Sequence, residues 1–335
     1  MRNSVERYPL GYSPLAQKPT QAQLAELLRL SKKELIDQIN YKETCTCRRE
    51  LKTGSKTRQL IYPLGPLRIT HERLKYHLKK VRHSDFLLSP RPGFSIVENA
   101  RRHLDQIQYL TVDIRKFYPS TTSTHVRDWC ENELGMYPDV ARRFRDLVTI
   151  DEQVFLGSPV TPVLTALIHR QMFESIANVC RSNGLQYTVW IDDLTISGPQ
   201  IRGSVLTEIR DIIAAAGLKS HKIQWQSGKG AFIITGVGVV GEKTIAPNKL
   251  NLQLKDLMQE YKTTTDRLSK EDLYYRLLSL LGTLRFYHGK KSYAGQRHAS
   301  RMNSLKQAHA KLPPAIFKTG VELAEDYQFE GLPWD

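Results

Sequence analysis

Three aspartates stand where a chain could bind divalent metal ions and transfer phosphoryl groups. Asp113 ends an apolar run from Tyr109 that predicts a buried strand, and Asp192 and Asp193 lie in a tight turn between two strands. Two carboxylates placed together raise each other's pKa, and a bound cation removes that cost. Together the three could hold two Mg²⁺ ions about 4 Å apart, the spacing used for in-line displacement at phosphorus. Magnesium suits such a site because it prefers oxygen ligands.

An ordinary structural role is the alternative for each of these elements. An aspartate at the end of a strand, or in a turn, is a common surface feature. The two elements occur together, however, and each is flanked by apolar strand residues, as in Val112-Asp113-Ile114 and Trp190-Ile191-Asp192-Asp193-Leu194. This combination favours Asp113, Asp192 and Asp193 as a catalytic set.

The surrounding pattern predicts strands interleaved with helices, followed by a helical tail. Strands are predicted at Arg58–Pro63, Tyr109–Asp113 and Tyr187–Ser197, and a hairpin at Ala231–Val240. Apolar residues at helical spacing predict helical structure at Leu24–Ile39, Leu67–Val81, Val205–Ala216 (stopped by Gly217) and from Leu250 onward. One long helix is predicted over Pro162–Cys180. This order indicates an α+β core with an appended helical subdomain.

Composition limits the class of protein and of partner. The 335 residues include 49 Lys and Arg against 34 Asp and Glu, a net charge of +15. Such an excess favours a polyanion such as nucleic acid, with an acidic protein or a membrane surface as alternatives. We find neither a membrane-length apolar run nor a signal-peptide core and expect a cytoplasmic protein. The four cysteines are expected to be ordinary thiols, not a disulfide scaffold or a zinc site.

Several motifs, in their order, resemble those of reverse transcriptases. Thr111–Ser120 resembles the first catalytic motif, and Tyr187–Ser197 resembles the motif built around the paired aspartates. Gly157–Ile168 resembles the template- and nucleotide-positioning motif. Upstream, Lys52-x-Gly-x-Lys-x-Arg58 is similar to the fingers element that grips the incoming triphosphate.

Two further motifs are similar to those of retron-type bacterial enzymes. Asn99-Ala-Arg-Arg-His103 matches an Asn-Ala-x-x-His signature, and Ile234-Thr-Gly236 resembles a Val-Thr-Gly signature linked to recognition of a structured RNA. The resemblance covers roughly residues 45 to 310. The chain departs from the family at Leu156, where a Gln is common, and at Trp190-Ile191, where Tyr-Ala is usual. Neither departure removes a metal ligand.

The resemblance implies a right-hand polymerase. Its expected parts are an N-terminal helical region and fingers (1–105), a palm with an antiparallel sheet plus helices and interleaved fingers elements (106–245), and a helical thumb and tail (246–335). The implied activity is RNA-directed DNA synthesis with two Mg²⁺ ions and deoxynucleoside triphosphates. It would copy a structured non-coding RNA into a branched RNA–DNA hybrid, beside a separate effector protein in anti-phage defence. Alternatives are a non-retron defence enzyme with protein-primed or untemplated synthesis, and an idle RNA-binding scaffold.

The same resemblance assigns further roles. The metal-holding set is Asp113, Ile114, Asp192 and Asp193, with Lys222 as proton donor to pyrophosphate. The nucleotide-binding residues are Lys56, Arg58, Tyr118 (as a sugar gate) and Gly157, and the RNA-binding residues are Asn99, His103, Thr235, Gly236, Arg285, Lys290, Lys291 and Arg297. The alternatives are a core aromatic for Tyr118, a structural histidine for His103, and solvated basic surfaces for the Lys and Arg residues.

Overall fold

The computed structural model describes residues 7–53, 56–228 and 230–312; the side chains of Thr53, Lys56 and Arg58 lie outside the described part. The chain forms two compact units, Met1–Glu242 and Lys243–Asp335. Helices and mainly antiparallel strands occur together in the first unit, which confirms the α+β prediction. A division at 105/106 stays a prediction.

The first unit contains ten α-helices and eleven strands within its described residues. The helices are α1 Gln21–Leu27, α2 Lys32–Asn40, α3 Gly65–Leu78, α4 Ile96–Arg101, α5 Phe117–Ser120, α6 Ser123–Asn132, α7 Pro138–Val148, α8 Thr161–Ile168, α9 Arg170–Ser182 and α10 Gly203–Ala215. The strands are β1 Thr46–Thr53, β2 Lys56–Pro63, β3 Leu87–Ser89, β4 Gln108–Ile114, β5 Thr149–Ile150, β6 Gln153–Val154, β7 Gln186–Trp190, β8 Asp193–Gly198, β9 Ser220–Ser227, β10 Phe232–Ile234 and β11 Val237–Val240.

A five-stranded sheet with the order β3-β7-β8-β4-β9 forms the centre of this unit. All neighbouring pairs are antiparallel except β3 and β7, which are parallel. One face of the sheet packs on α9 and α10 through a buried apolar cluster that includes Leu110, Val112, Ile176 and Ile209. Because side chains alternate along a strand, the residues between these apolar ones point to the opposite face. Asp113 lies on that opposite face.

The apolar pattern Leu24–Ile39, which predicted helical structure, corresponds to the two helices α1 and α2. Each helix begins with a capping box, Thr20 with Gln23 and Ser31 with Glu34. A capping box satisfies the unpaired N–H groups of a first turn, so the second box begins a new helix. Both helices pack into the apolar cluster that also contains residues of α3, α6, α7 and α8.

The prediction of one long helix over Pro162–Cys180 is wrong. The chain forms α8 and α9, which are separated at His169, whose backbone is not helical (φ −94°, ψ 16°). The His169 side chain is buried, and its Nε2 lies 2.9 Å from the Thr121 hydroxyl. This contact reaches 48 residues back along the chain, so helical periodicity alone does not reveal it.

The second unit is helical in its described part, as the sequence predicted for the region after Leu250. It contains β12 Lys243–Ile245, α11 Asn248–Thr263, α12 Arg267–His288 and α13 Tyr293–Ala310. Its apolar cluster is built mainly from leucines of α11 and α12. The Thr244 hydroxyl donates to the Tyr287 carbonyl (2.7 Å), which ties β12 to α12. Along the described chain no helix has the length and apolarity needed to cross a membrane. All four cysteines are free thiols, as expected.

Candidate active site

The strand register brings the predicted aspartates together. Asp113 of β4 and Asp193 of β8 are direct cross-strand partners. Residues paired in this way have Cα atoms about 4.5–5.5 Å apart. Asp192 lies in the two-residue turn Ile191-Asp192 between β7 and β8, and its carbonyl accepts from the Ile114 N–H (3.0 Å). The three carboxylates therefore occupy one end of the central sheet.

Burial and mutual repulsion disfavour the ionised aspartates. Burial, and then the negative charges of Asp193 and Asp113, together raise the pKa of Asp192 to about 6. The pKa of Asp193 is raised by the same two causes, burial first and then the charge of Asp113. Such raised pKa values are expected where a fold concentrates negative charge for a positively charged ligand.

Lys222, which the resemblance assigns as proton donor, lies beside these carboxylates. It belongs to the edge strand β9, and its Nζ donates to Asp113 Oδ2 (2.7 Å). The pairing of β4 with β9 is irregular between Thr111 and Asp113, and Lys222 has a φ of +45°. The hydrogen bond and the negative charge of Asp113 raise the pKa of Lys222. A cation is therefore available at the carboxylate cluster.

The donor set fits Mg²⁺ in its chemistry. Asp113, Asp192 and Asp193 offer oxygen ligands only, and the Ile114 side chain is apolar and buried, so its sole oxygen donor is the backbone carbonyl. Among the residues that the structure describes, no three ligating groups already converge on one point. Asp113 instead binds Lys222.

Two of the predicted nucleotide-binding residues lie near this centre or on the turn that precedes α8. Tyr118 in α5 is half-buried, and burial and then the charge of Asp192 raise its pKa. The ring also packs against the apolar clusters, which agrees with the alternative of a core aromatic.

Gly157 has a φ of +119°, and a Cβ there would lie 3.2 Å from Tyr62 Cβ. The Leu156 carbonyl accepts from the Ile61 N–H (2.8 Å), which joins this turn to β2. Lys56 and Arg58 belong to β2, but their side chains lie outside the described part.

Direct RNA binding by Asn99 and His103 does not agree with their burial. Both side chains have 0% exposure. His103 bonds Ser197 and Thr188 through its two ring nitrogens (2.7 Å each), and burial lowers its pKa to about 3. His103 is thus a satisfied structural histidine that holds two strands of the central sheet. Thr235 and Gly236 form the exposed turn of the β10–β11 hairpin, so contact with RNA there stays a prediction.

The basic residues predicted to grip nucleic acid lie in the second unit. Lys290, Lys291 and Arg297 are exposed, while Arg285 is half-buried. Phe286 and Tyr293, with 41% and 83% exposure, lie in the same stretch of sequence. The arrangement supplies both charge and aromatic surface, as the sequence predicted.

Sequence reasoning missed the buried histidine of α3, His71. His71 of α3 has 0% exposure; its Nδ1 lies 2.7 Å from Ser158 Oγ, and its Nε2 lies 3.0 Å from the Leu147 carbonyl. His71 therefore holds the Gly157-Ser158 turn against α3. The only sequence signal is a histidine on the apolar face of a predicted helix, which commonly means nothing more than a core residue.

The fold and this donor set define a class of site. Two carboxylates on neighbouring strands and a third in the adjoining turn, with a lysine bound to one of them, suit metal-dependent phosphoryl or nucleotidyl transfer. The chain is similar to three retron reverse transcriptases. It is 26% identical over 151 residues to the retron Se72 enzyme of Salmonella heidelberg, 27% over 172 residues to the retron Mx65 enzyme of Myxococcus xanthus, and 27% over 174 residues to the retron Ec86 enzyme of Escherichia coli.

These matches confirm the resemblance that the motifs predicted. They cover 44%, 44% and 51% of this chain and 40%, 40% and 54% of the respective relatives. The chain thus spans about half or less of the length of the curated relatives it matches. No protein-family model matches the chain.

Proposed function

We propose that this protein is an RNA-directed DNA polymerase of the retron type. The observation that carries the proposal is the pairing of Asp113 with Asp193, with Asp192 in the adjoining turn and Lys222 bound to Asp113. In this proposal the central sheet is the palm, β1 and β2 with the N-terminal helices belong to the fingers, and the second unit is the thumb.

The residues of the chain have distinct parts in this reaction. Asp113, Asp192 and Asp193, with the Ile114 carbonyl, would hold two Mg²⁺ ions, which supply activation of the attacking hydroxyl and charge stabilisation of the leaving pyrophosphate. Lys222 brings an ammonium group to the same centre, where it can donate a proton to pyrophosphate. The Tyr118 ring would exclude a ribose 2′-hydroxyl. Lys56, Arg58 and Gly157 would hold the triphosphate.

The finer assignment concerns the template. The similarity to three retron enzymes supports a dedicated structured RNA, copied into a branched RNA–DNA hybrid from a 2′-hydroxyl of that RNA. The net charge of +15 supports a nucleic-acid partner. A separate effector protein and a role in anti-phage defence belong to the same proposal.

The test is purification from the native gene context, followed by sequencing of the nucleic acid that accompanies the protein. The control carries Asp192→Asn and Asp193→Asn together. We expect one RNA species with a discrete DNA attached, and loss of the DNA in the control. RNA alone in both samples would overturn the polymerase proposal. Heterogeneous or untemplated DNA would keep the chemistry and favour a non-retron defence enzyme, an outcome that the departures at Leu156 and Trp190 make worth testing.

A further inference from the structure

A chain of hydrogen bonds, buried except at its half-buried last member Thr235, joins the central sheet to the turn of the β10–β11 hairpin. Ser197 and Thr188, on β8 and β7, bond His103, Thr188 also bonds Asn99, and Asn99 Nδ2 donates to Thr235 Oγ1 (3.2 Å). The first four of these residues have 1% exposure or less. The hydrogen-bond chain thus runs from β7 and β8, the strands on either side of the Ile191-Asp192 turn, to the turn of the β10–β11 hairpin.

The chemistry of the groups fixes the direction of this chain. The Thr188 hydroxyl donates to Asn99 Oδ1 (2.6 Å), because a carbonyl oxygen can only accept. With its hydrogen used there, Thr188 must accept from His103 Nε2, so His103 Nδ1 must accept from the Ser197 hydroxyl. Every donor therefore meets an acceptor only when His103 is neutral, which agrees with the lowering of its pKa by burial.

The strand geometry places the start of this hydrogen-bond chain on the face of the sheet that carries Asp193. Asp193, Thr195 and Ser197 point to one face of β8, because side chains alternate along a strand. Thr188 of β7 is the cross-strand partner of Thr195, and Trp190 is the partner of Asp193. His103 thus binds the same two strands, on the same face, that hold Asp193.

The turn at the other end of the chain needs an anchor. Thr235 has a φ of +46°, a left-handed conformation that is strained for a β-branched residue. Such strain persists only where the surroundings hold it. Helix α4, which carries Asn99, packs on both β10 and β11. Gly236 beside it is exposed and has no side chain, so a sugar–phosphate backbone can approach closely.

We propose that Asn99 and His103 are positioning residues that fix the Thr235-Gly236 turn relative to the strand pair carrying Asp192 and Asp193. Nucleic acid held at the turn is thereby kept at a constant distance from the carboxylates; this second part rests on the proposed function. Asn99 and His103 act through Thr235 and need no contact with RNA.

Thr188→Val is the decisive variant, because Thr188 is buried and valine keeps its shape while removing the hydroxyl. Thr195→Val is the matched control. Thr195 is the cross-strand partner of Thr188, is equally buried, and its Oγ1 has no hydrogen-bond partner among the described residues. Asn99→Ala and the double variant with Thr188→Val complete the set.

Two measurements are made on each full-length variant. The first is amide hydrogen exchange in peptides spanning 231–240, with peptides from α9 and β4 as the reference for global stability. We expect exchange about tenfold faster at the turn in Thr188→Val and in Asn99→Ala, the equivalent of one lost buried hydrogen bond. Exchange in α9 and β4, and all exchange in Thr195→Val, should remain near that of the unaltered protein.

The second measurement is extension of oligo(dT) on poly(rA) with Mg²⁺ and dTTP. At saturating primer–template, kcat should fall about tenfold in Thr188→Val and Asn99→Ala, with KM for dTTP changed less than about twofold. The double variant should be no slower than the slower single variant, since both break one chain. Thr195→Val should match the unaltered protein.

Different results would overturn the positioning role of Asn99 and His103 and the polymerase activity. If Asn99→Ala alone speeds exchange and lowers kcat while Thr188→Val does neither, Asn99 acts by its own contact and the proposal fails. Faster exchange in α9 and β4 to the same extent as at the turn would reduce the chain to a general stabilising role, which also overturns it. An unaltered protein that extends no primer, yet shows the expected exchange pattern, would refute the polymerase and support the link.

Discussion

The surroundings of the Asp192 carboxyl disfavour its ionised form. Burial and two neighbouring carboxylates raise its pKa to about 6, against an ordinary value of 3.8. Above pH 6 the folded protein therefore holds a charged group that the unfolded chain accommodates more easily. By linkage, this costs about 3 kcal/mol of stability at pH 8 in the absence of divalent cations.

We therefore predict that Asp192→Asn stabilises the protein at pH 8 in EDTA by about 2–3 kcal/mol. The same substitution should lower the rate of primer extension with Mg²⁺ by about a thousandfold, since a lost metal ligand removes about 4 kcal/mol of transition-state stabilisation. Urea unfolding and single-turnover extension measure the two effects. Asp256→Asn, at an exposed carboxyl in α11, is the control and should change neither. A less stable Asp192→Asn protein would contradict the electrostatic argument.

Ile191, one residue earlier, stores backbone strain in the hairpin turn. Its φ is +61°, which is rare for a β-branched residue and which glycine adopts without a steric cost. In ordinary strand positions glycine is less stable than alanine by about 0.5–1 kcal/mol. We predict the reverse order at this position, with Ile191→Gly more stable than Ile191→Ala by about 1 kcal/mol. The pair Gln186→Gly and Gln186→Ala, at an exposed position of β7, should keep the usual order in the same unfolding measurement.

At the scale of elements, the Leu156-Gly157 turn is held between β2 and α3. The Ile61 N–H of β2 donates to the Leu156 carbonyl, and His71 of α3 is hydrogen-bonded to the Ser158 side chain. Gly157→Ala adds a Cβ 3.2 Å from Tyr62 at a φ of +119°. We predict a loss of about 1–3 kcal/mol in unfolding free energy, and a KM for the incoming nucleotide raised more than kcat is lowered.

Gly184→Ala is the matched control for that substitution. Gly184 also has a positive φ (+65°), but an added Cβ would meet nothing within 4 Å. Gly184→Ala should lower the free energy of unfolding by about 1 kcal/mol, the cost of the left-handed backbone alone. Equal losses in the two variants would mean that the approach to Tyr62 has no consequence.

The elements that the sequence predicted well are those with a local signal. The strands around Asp113 and Asp192 have apolar runs, and the helix Val205–Ala216 ends before Gly217, which has a φ of +72°. The break between α8 and α9 has no such signal, because it coincides with a side-chain contact between His169 and Thr121. The burial of Asn99 was missed for the same reason, and for His103 the sequence left a structural role and RNA binding as alternatives. Their partners lie 85 to 136 residues away, and a short motif does not say whether its polar groups face RNA or the interior.

For the molecule as a whole, buried histidines should set the limit of acid stability. Burial lowers the pKa of His71 and His83 to about 4 and that of His103 and His169 to about 3. In the unfolded chain these groups bind protons near pH 6.5. Below that pH these histidines are protonated in the unfolded state but remain neutral in the folded state. The free energy of unfolding therefore falls as the pH drops toward 4. Asp192 acts in the opposite sense, because its raised pKa lets the folded state bind a proton near pH 6.

The net prediction is a loss of about 4 kcal/mol of stability between pH 6 and pH 5, four histidines acting against one aspartate. Urea unfolding across this range measures the slope, which gives the number of protons taken up on unfolding. His83→Gln should reduce that number by about one. A stability independent of pH between 7 and 5 would contradict the neutral state of these four buried histidines.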